Sequence, residues 1–233
     1  MTPMNRRNFL HTAAVASAVL PSLAAEPPRR VRIGFLGCSH SHGMPKVKLA
    51  LNSPDWECIG VFEPDAKHRA AAEKLGAKAL SAEQVIAASE VIAVECDAKD
   101  RHGLAKAALQ AGKHVHLEKP PTVTLAEFRE LLALAREKQV LLQMGYMWRF
   151  NPGINAALEA ARQGWLGDVY LVRGVINTSL NAESRRSFGE IAGGTMFELG
   201  CHLVDPMIRL MGKHAKVTPV LRHDAKDNDQ LAD

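Results

Sequence analysis

Val31-Arg32-Ile33-Gly34-Phe35-Leu36-Gly37 decides the fold. An apolar run of strand length that stops on a glycine reads as a buried strand handing over to a loop. Gly37-Cys38-Ser39-His40-Ser41-His42 is that loop, and a helix is expected from about Pro45 to Asn52. The same alternation then repeats down the chain. Glu57–Phe62 reads as a strand and Asp65–Leu75 as a helix closed by Gly76; Val91–Cys96 is the next strand, and Asp100–Gln110 the next helix, stopped by Gly112. His114–Leu117 is a fourth strand, and Val140–Met144 a fifth. Between them, Thr124-x-x-Glu127 is a capping box, and Leu125, Phe128, Leu131, Leu132 and Ala135 form one stripe, so Thr124–Lys138 is a helix. Strands alternating with helices over short connections are βαβ units, hence a parallel sheet covered on both faces. Right-handed crossovers make residues 30–145 a doubly wound α/β domain, whose ligand crevice lies at the carboxyl ends of the strands.

Past residue 145 the rhythm changes. Pro152–Gln163 and Gly194–Met211 read as helices, the second with Gly212 just beyond its end, while Val169–Val175 reads as a strand and Val217–Leu221 as the start of another. Residues 146–233 are therefore expected to begin a second, α+β domain with too few strands to close a sheet.

Residues 1–25 have the layout of an export signal. Arg6-Arg7-Asn8-Phe9-Leu10 precedes an apolar stretch, Ala13–Leu20, which Pro21 breaks before Ser22-Leu23-Ala24-Ala25. That stretch is too short to span about 30 Å of hydrocarbon. It fits a signal peptide, and the paired arginines resemble the twin-arginine class, which implies export, to the periplasm, of a folded protein with no stable membrane span. The whole chain has 29 Lys and Arg against 25 Asp and Glu; without Arg6 and Arg7 the balance is 27 to 25. So even a charge argues against a nucleic-acid partner, as does an aromatic content of only 5%. Four cysteines without CxxC spacing argue against a zinc ribbon or a disulfide scaffold.

The loop after the first strand carries one glycine, Gly37, of the three that a dinucleotide fingerprint places there. Ser39 is small enough for close approach of a pyrophosphate, and His42 fills the place of the third glycine, with Gly43 next to it. Glu63 ends the second strand, where an acid can accept a ribose 2′-hydroxyl and repel a 2′-phosphate, favouring NAD over NADP. Cys38, His40 and His42 raise the alternative of a metal, but no third ligand lies in reach by sequence, so none is expected.

Ala111-Gly112-Lys113-His114-Val115-His116-Leu117-Glu118-Lys119-Pro120-Pro121 strongly resembles the Gfo/Idh/MocA oxidoreductase family. Gly145-Tyr146-Met147-Trp148-Arg149-Phe150-Asn151-Pro152 is similar to the segment joining that family's two domains. Gly193 to Asp205 is similar to the second-domain helix bearing its Asp-x-Gly-x-His pattern, with Glu198 in the place of Asp. The resemblance implies an NAD(P)-binding Rossmann domain followed by an open-sheet domain, and sugar, cyclitol or polyol substrates. It implies Lys119 as the active-site lysine, Glu118 beside the nicotinamide ribose and His202 as the catalytic histidine. Gly37, Ser39, His40 and Glu63 fall on the cofactor side, and Trp148, Arg149 and Asp205 on the substrate side. Relatives often pair through the second-domain sheet, so a homo-oligomer is open. The family's second domain is longer, so the chain reads as truncated there.

In that frame His202 is suited to take the hydroxyl proton and Lys119 to stabilise the alkoxide. A continuous helix puts Glu198, His202 and Asp205 on one face, where the carboxylate can fix the imidazole tautomer. Two other functions compete with a plain dehydrogenase. One is an NAD-dependent glycosidase working by transient oxidation and elimination. The other is a non-catalytic nucleotide- or sugar-binding relative, which the degraded glycine loop favours.

Overall fold

The structure, a computed structural model, describes residues 29–189, 193–220, 222 and 231. Five strands form one parallel sheet in the order β2-β1-β3-β4-β5: β1 Val31–Leu36, β2 Trp56–Phe62, β3 Val91–Val94, β4 His114–Leu117 and β5 Leu142–Met144. The order reverses between β1 and β3, which opens a crevice beyond their carboxyl ends. The connecting helices are α1 Gly43–Asn52, α2 Ala66–Lys74, α3 Ala82–Ala88, α4 Ala98–Gln110 and α5 Leu125–Glu137.

Side chains alternate across the strands, so each face of the sheet has its own core. Ile33, Phe35, Val61 and Ala93 pack with Val47 and Ala50 of α1 and Ala72 of α2. Leu36, Ile92, Val94, Val115 and Leu117 pack on the other face with residues of α3, α4 and α5. α5 starts with the expected capping box: Thr124 Oγ1 accepts from Glu127 N, and Glu127 accepts from Thr124 N. β5 begins two residues later than expected. Val140 N–H is already bonded to Ala135 O at 3.0 Å, closing α5, with Gln139 at a left-handed φ of 55°. The helix α3 was not expected, although Ser81-x-x-Gln84 is itself a capping box. It packs tightly on β1: a Cβ at Gly34 would meet Val85 Cγ1 at 2.5 Å.

Beyond β5 a 3₁₀ turn, Met147–Phe150, leads into α6 Pro152–Arg162, followed by α7 Ala182–Gly189, α8 Gly194–Leu199 and α9 Cys201–Met211. Three expectations are corrected here. Val169–Val175 and Val217–Val220 are not strands. A strand needs a neighbour to take its N–H and C=O groups, and among the described residues none runs alongside; Tyr170 is 93% exposed. Leu221 lies outside the described residues. The single helix expected over Gly194–Met211 is two, interrupted at Gly200. The sheet through which a homo-oligomer was expected to pair is thus not formed among the described residues. The proposed signal segment, residues 1–25, also falls outside them. No described helix is long and apolar enough to cross a membrane.

Candidate functional site

The first component is the crevice at the β1/β3 switch point. It is a cleft of ≈ 510 Å³ whose lining includes Gly37, Ser39, Glu63, Asp65, Cys96 and Asp97. Gly37 has φ 82°, and a Cβ on it would meet Cys96 Cβ at 2.5 Å, so the turn out of β1 requires glycine. His42 precedes α1, and Gly43, its first residue, lies so close to the loop that a Cβ would meet Cys38 O at 2.7 Å. Gly43 thereby provides the close helix–loop contact of a fingerprint's third glycine, one position late. Glu63 is buried; its Oε2 accepts from Cys38 N at 2.7 Å and its Oε1 from Asp65 N at 3.0 Å. This carboxylate therefore shapes the loop as well as facing the cleft. A glycine-lined cradle with an acid at the end of β2 fits a dinucleotide.

The second component lies past the end of β4. Lys119 is 3% exposed, and its ammonium donates a short hydrogen bond to Glu198 Oε1 on α8. His40, from the nucleotide loop, brings Nε2 to 3.6 Å from the same oxygen, while its Nδ1 accepts from His42 N at 3.2 Å. Burial pushes Glu198 upward, but the bonds to His40 and Lys119 outweigh it and hold the carboxyl below its ordinary range. His40 is thus a partner of Glu198 more than a lining residue of the cleft, a placement the sequence did not indicate.

His202 is 7% exposed and stacks on Trp148, ring centroids 5.3 Å apart. Its Nδ1 is buried without a hydrogen-bond partner. Burial lowers its pKa, and the positive charge of Lys119 lowers it further. Glu198, expected to orient His202, bonds to Lys119 and His40 instead, because the break at Gly200 puts it on a separate helix. Arg149 and Asp205, expected at the substrate, are paired with each other by a bidentate contact of 2.6 and 3.0 Å, tying the segment after β5 to α9.

A third group of side chains was not singled out as a cluster by the sequence reading. Lys46 of α1 reaches Glu95 at 2.8 and 2.9 Å, Glu118 Oε2 at 2.5 Å and His116 Nε2 at 3.0 Å. Both carboxylates are fully buried. Burial pushes Glu95 up to about 7 against the opposing charge of Lys46. Burial acts the same way on Glu118, but the bonds from His42 and Lys46 prevail and hold it well below the carboxylate range. Buried Arg101 donates to Cys96 O at 2.9 Å and Pro120 O at 2.5 Å beside them. One signal was legible: Glu95 is an acid directly after the apolar run Val91–Val94. His40, His42 and Glu118 offer ligand atoms within 4.8 Å of one another, so the third donor that sequence spacing could not supply comes from the residue just past β4. Lys46 already holds that carboxylate, and a cation would have to displace its ammonium. A larger cavity of ≈ 550 Å³ near Trp56, His116, Gln143 and Tyr146 contains none of Lys119, Glu198 or His202.

Two family models account for most of the chain. One, described as an oxidoreductase family, NAD-binding Rossmann fold, matches residues 31–146. The other, its C-terminal alpha/beta domain, matches residues 159–233. The chain belongs to the Gfo/Idh/MocA oxidoreductase family. Its first domain is therefore an NAD-binding Rossmann domain. The chain is 28% identical to dTDP-3,4-didehydro-2,6-dideoxy-alpha-D-glucose 3-reductase of Streptomyces violaceoruber, over 85% of this chain and 60% of that protein. It is 34% identical to scyllo-inositol 2-dehydrogenase (NADP(+)) IolW of Bacillus subtilis (strain 168), over 48% of this chain and 32% of that protein. Among solved structures it is similar to an NAD-binding protein from Listeria innocua, with a TM-score of 0.65 and 25% identity over 78% of this chain and 55% of that one. The chain thus matches less than two thirds of the length of each of these relatives.

Proposed function

We propose that this chain carries the cofactor domain and the central reacting groups of an NAD-dependent oxidoreductase acting on a secondary alcohol of a sugar, cyclitol or polyol. The observation that carries the reading is the meeting of Lys119, from the end of β4, with the Glu198 carboxylate and the neighbouring His202 imidazole from the second domain. The named activities of the two curated relatives, one on a deoxysugar and one on an inositol, support that substrate class.

NAD, when bound, supplies the hydride acceptor. The chain's own groups manage the proton and the charge. Oxidation of a carbinol leaves its oxygen with developing negative charge, and the Lys119 ammonium is placed to stabilise it. His202, held neutral near pH 7 by burial and by Lys119, is suited to take the hydroxyl proton. Glu198 keeps the Lys119 ammonium in place, and His40 holds Glu198 from the cofactor side. Trp148, stacked on His202, forms an apolar wall against which a sugar ring can rest. Around the nucleotide cleft, Glu63, Asp65, Asp97 and Asp100 outnumber Lys99, so a 2′-phosphate is disfavoured and NAD is preferred over NADP.

In this reading the signal at residues 1–25 sends the protein to the periplasm through the twin-arginine route, with its cofactor tightly held. Replacing Arg6 and Arg7 by lysine should leave it in the cytoplasm, as cell fractionation would show. The enzymatic proposal is tested by incubating purified protein with NAD and a panel of inositols, aldoses and alditols. Stoichiometric NADH formation that Lys119→Ala abolishes is the expected result. Net hydrolysis of a glycoside without NADH accumulation would identify the glycosidase chemistry instead, and binding of NAD with no turnover of any kind would mark a non-catalytic relative.

A further inference from the structure

Lys46 belongs to none of the segments that carry the proposed reaction, yet it sits at a junction. An ammonium has three N–H groups, and each finds an acceptor here: the Glu95 carboxylate, Glu118 Oε2 and His116 Nε2. The last contact requires Nε2 without a proton. His116 Nδ1 faces Gln143 Oε1 at 3.3 Å, a contact that suits the neutral ring with its proton on Nδ1, while Nε2 also lies 3.6 Å from Glu95 Oε1. Burial and the charge of Lys46 both favour that neutral form.

Two fully buried carboxylates side by side repel unless a cation lies between them. Removing the cation strands the charge that remains. Glu118 has a second task, for its Oε1 accepts from Lys119 N at 2.8 Å. Gly145 limits its freedom on the other side, where a Cβ would meet both carboxylate oxygens at 3.2 Å. The route from α1, the helix that opens on the nucleotide crevice, to the backbone of Lys119 is therefore two contacts long.

We infer that Lys46 is a positioning residue for Lys119: it clamps Glu95 and Glu118 at the carboxyl ends of β3 and β4, and through Glu118 couples helix α1 to the backbone that presents the Lys119 ammonium. This rests on the reading of Lys119 as the alkoxide-stabilising group.

Backbone hydrogen exchange and kinetics on Lys46→Met test it together. Exchange at the Lys119 amide should rise about tenfold or more as its acceptor loosens, while the amides of Phe35 and Leu36 in β1 stay protected. kcat should fall about tenfold or more with KM for NAD little changed, and Lys46→Arg, which keeps the charge, should recover part of both losses. Unchanged protection at Lys119, or protection lost equally across the sheet, overturns the inference, as does a parental kcat. Should the Met variant fail to fold, Lys46→Gln retains two N–H donors and is read by the same criteria. If the parental protein turns over no polyol with NAD, the dehydrogenase reading fails, and the exchange measurement still decides whether Lys46 sets the Lys119 backbone.

Discussion

Residues 31–144 and residues 146–220 use similar amino acids to different effect. In the first region every strand lies beside another, and apolar side chains on both faces of the sheet are covered by helices. In the second, Trp165, Leu166, Tyr170 and Val175 stand largely in solvent, and the apolar stretch around them forms no strand. Strand propensity is a statement about fitting a pleated, half-covered surface; without a surface to join, it produces nothing regular. What order the second region does have comes from short helices, from the Arg149–Asp205 pair within it and from the contact of Lys119 with Glu198 back to the first.

Variants that separate the two regions follow in order of expected effect. Lys119→Ala removes the charge at their junction and should lower kcat about 100- to 1000-fold, measured as NADH formation, with NAD affinity by fluorescence nearly unchanged. An equal loss of affinity would move Lys119 from chemistry to cofactor binding. Leu117→Ala, fully buried in β4, should cost about 2–5 kcal/mol in denaturant unfolding. A much smaller cost would mean the first region is not the rigid partner. Gly37→Ala should cost about 1–3 kcal/mol from its left-handed backbone, and the clash with Cys96 should weaken NAD binding in calorimetry.

Next in size is a pH effect. Because burial raises Glu95 toward about 7, the folded state holds its proton more tightly than the unfolded one. Stability should then fall as pH rises from the ordinary carboxylate range to about 7, and Glu95→Gln should remove that slope from a series of thermal melts. Glu118 and Glu198 act in the opposite sense, their contribution being lost as pH falls below the ordinary carboxylate range. Smallest of all, Tyr170→Ser should change stability by less than about 0.5 kcal/mol. A larger loss would show that this stretch is covered in solution.

The same division explains what the sequence made legible. β4 was read at its observed bounds, and α5 with its cap, because local signals such as the Thr124–Glu127 box and the strand-bounding glycines govern them. The missed α3 carried a signal of equal quality at Ser81 and Gln84, in a helix of only seven residues. Lys119 touches Glu198 and Trp148 stacks on His202, whereas the motif reading had paired Glu198 with His202. The cluster around Glu118 was not legible. Lys46, Glu95 and His116 come from a helix, the end of one strand and the middle of another, far apart in the chain, and only Glu95, directly after an apolar run, carries a local mark of its burial. Nor does composition reveal that Arg149 and Asp205 satisfy each other, or that Gly200 divides the helix on which Glu198 and His202 were expected to align.

The late glycine at the head of α1 has a consequence for anyone tempted to repair this loop toward the common dinucleotide pattern. Exchanging Ser39 and His42 for glycine would add backbone freedom to the unfolded chain and delete an imidazole that braces Glu118. The result would match the consensus more closely and hold its shape less well. Departure from the motif here fastens the loop in another way, and the common spelling would take out the pin.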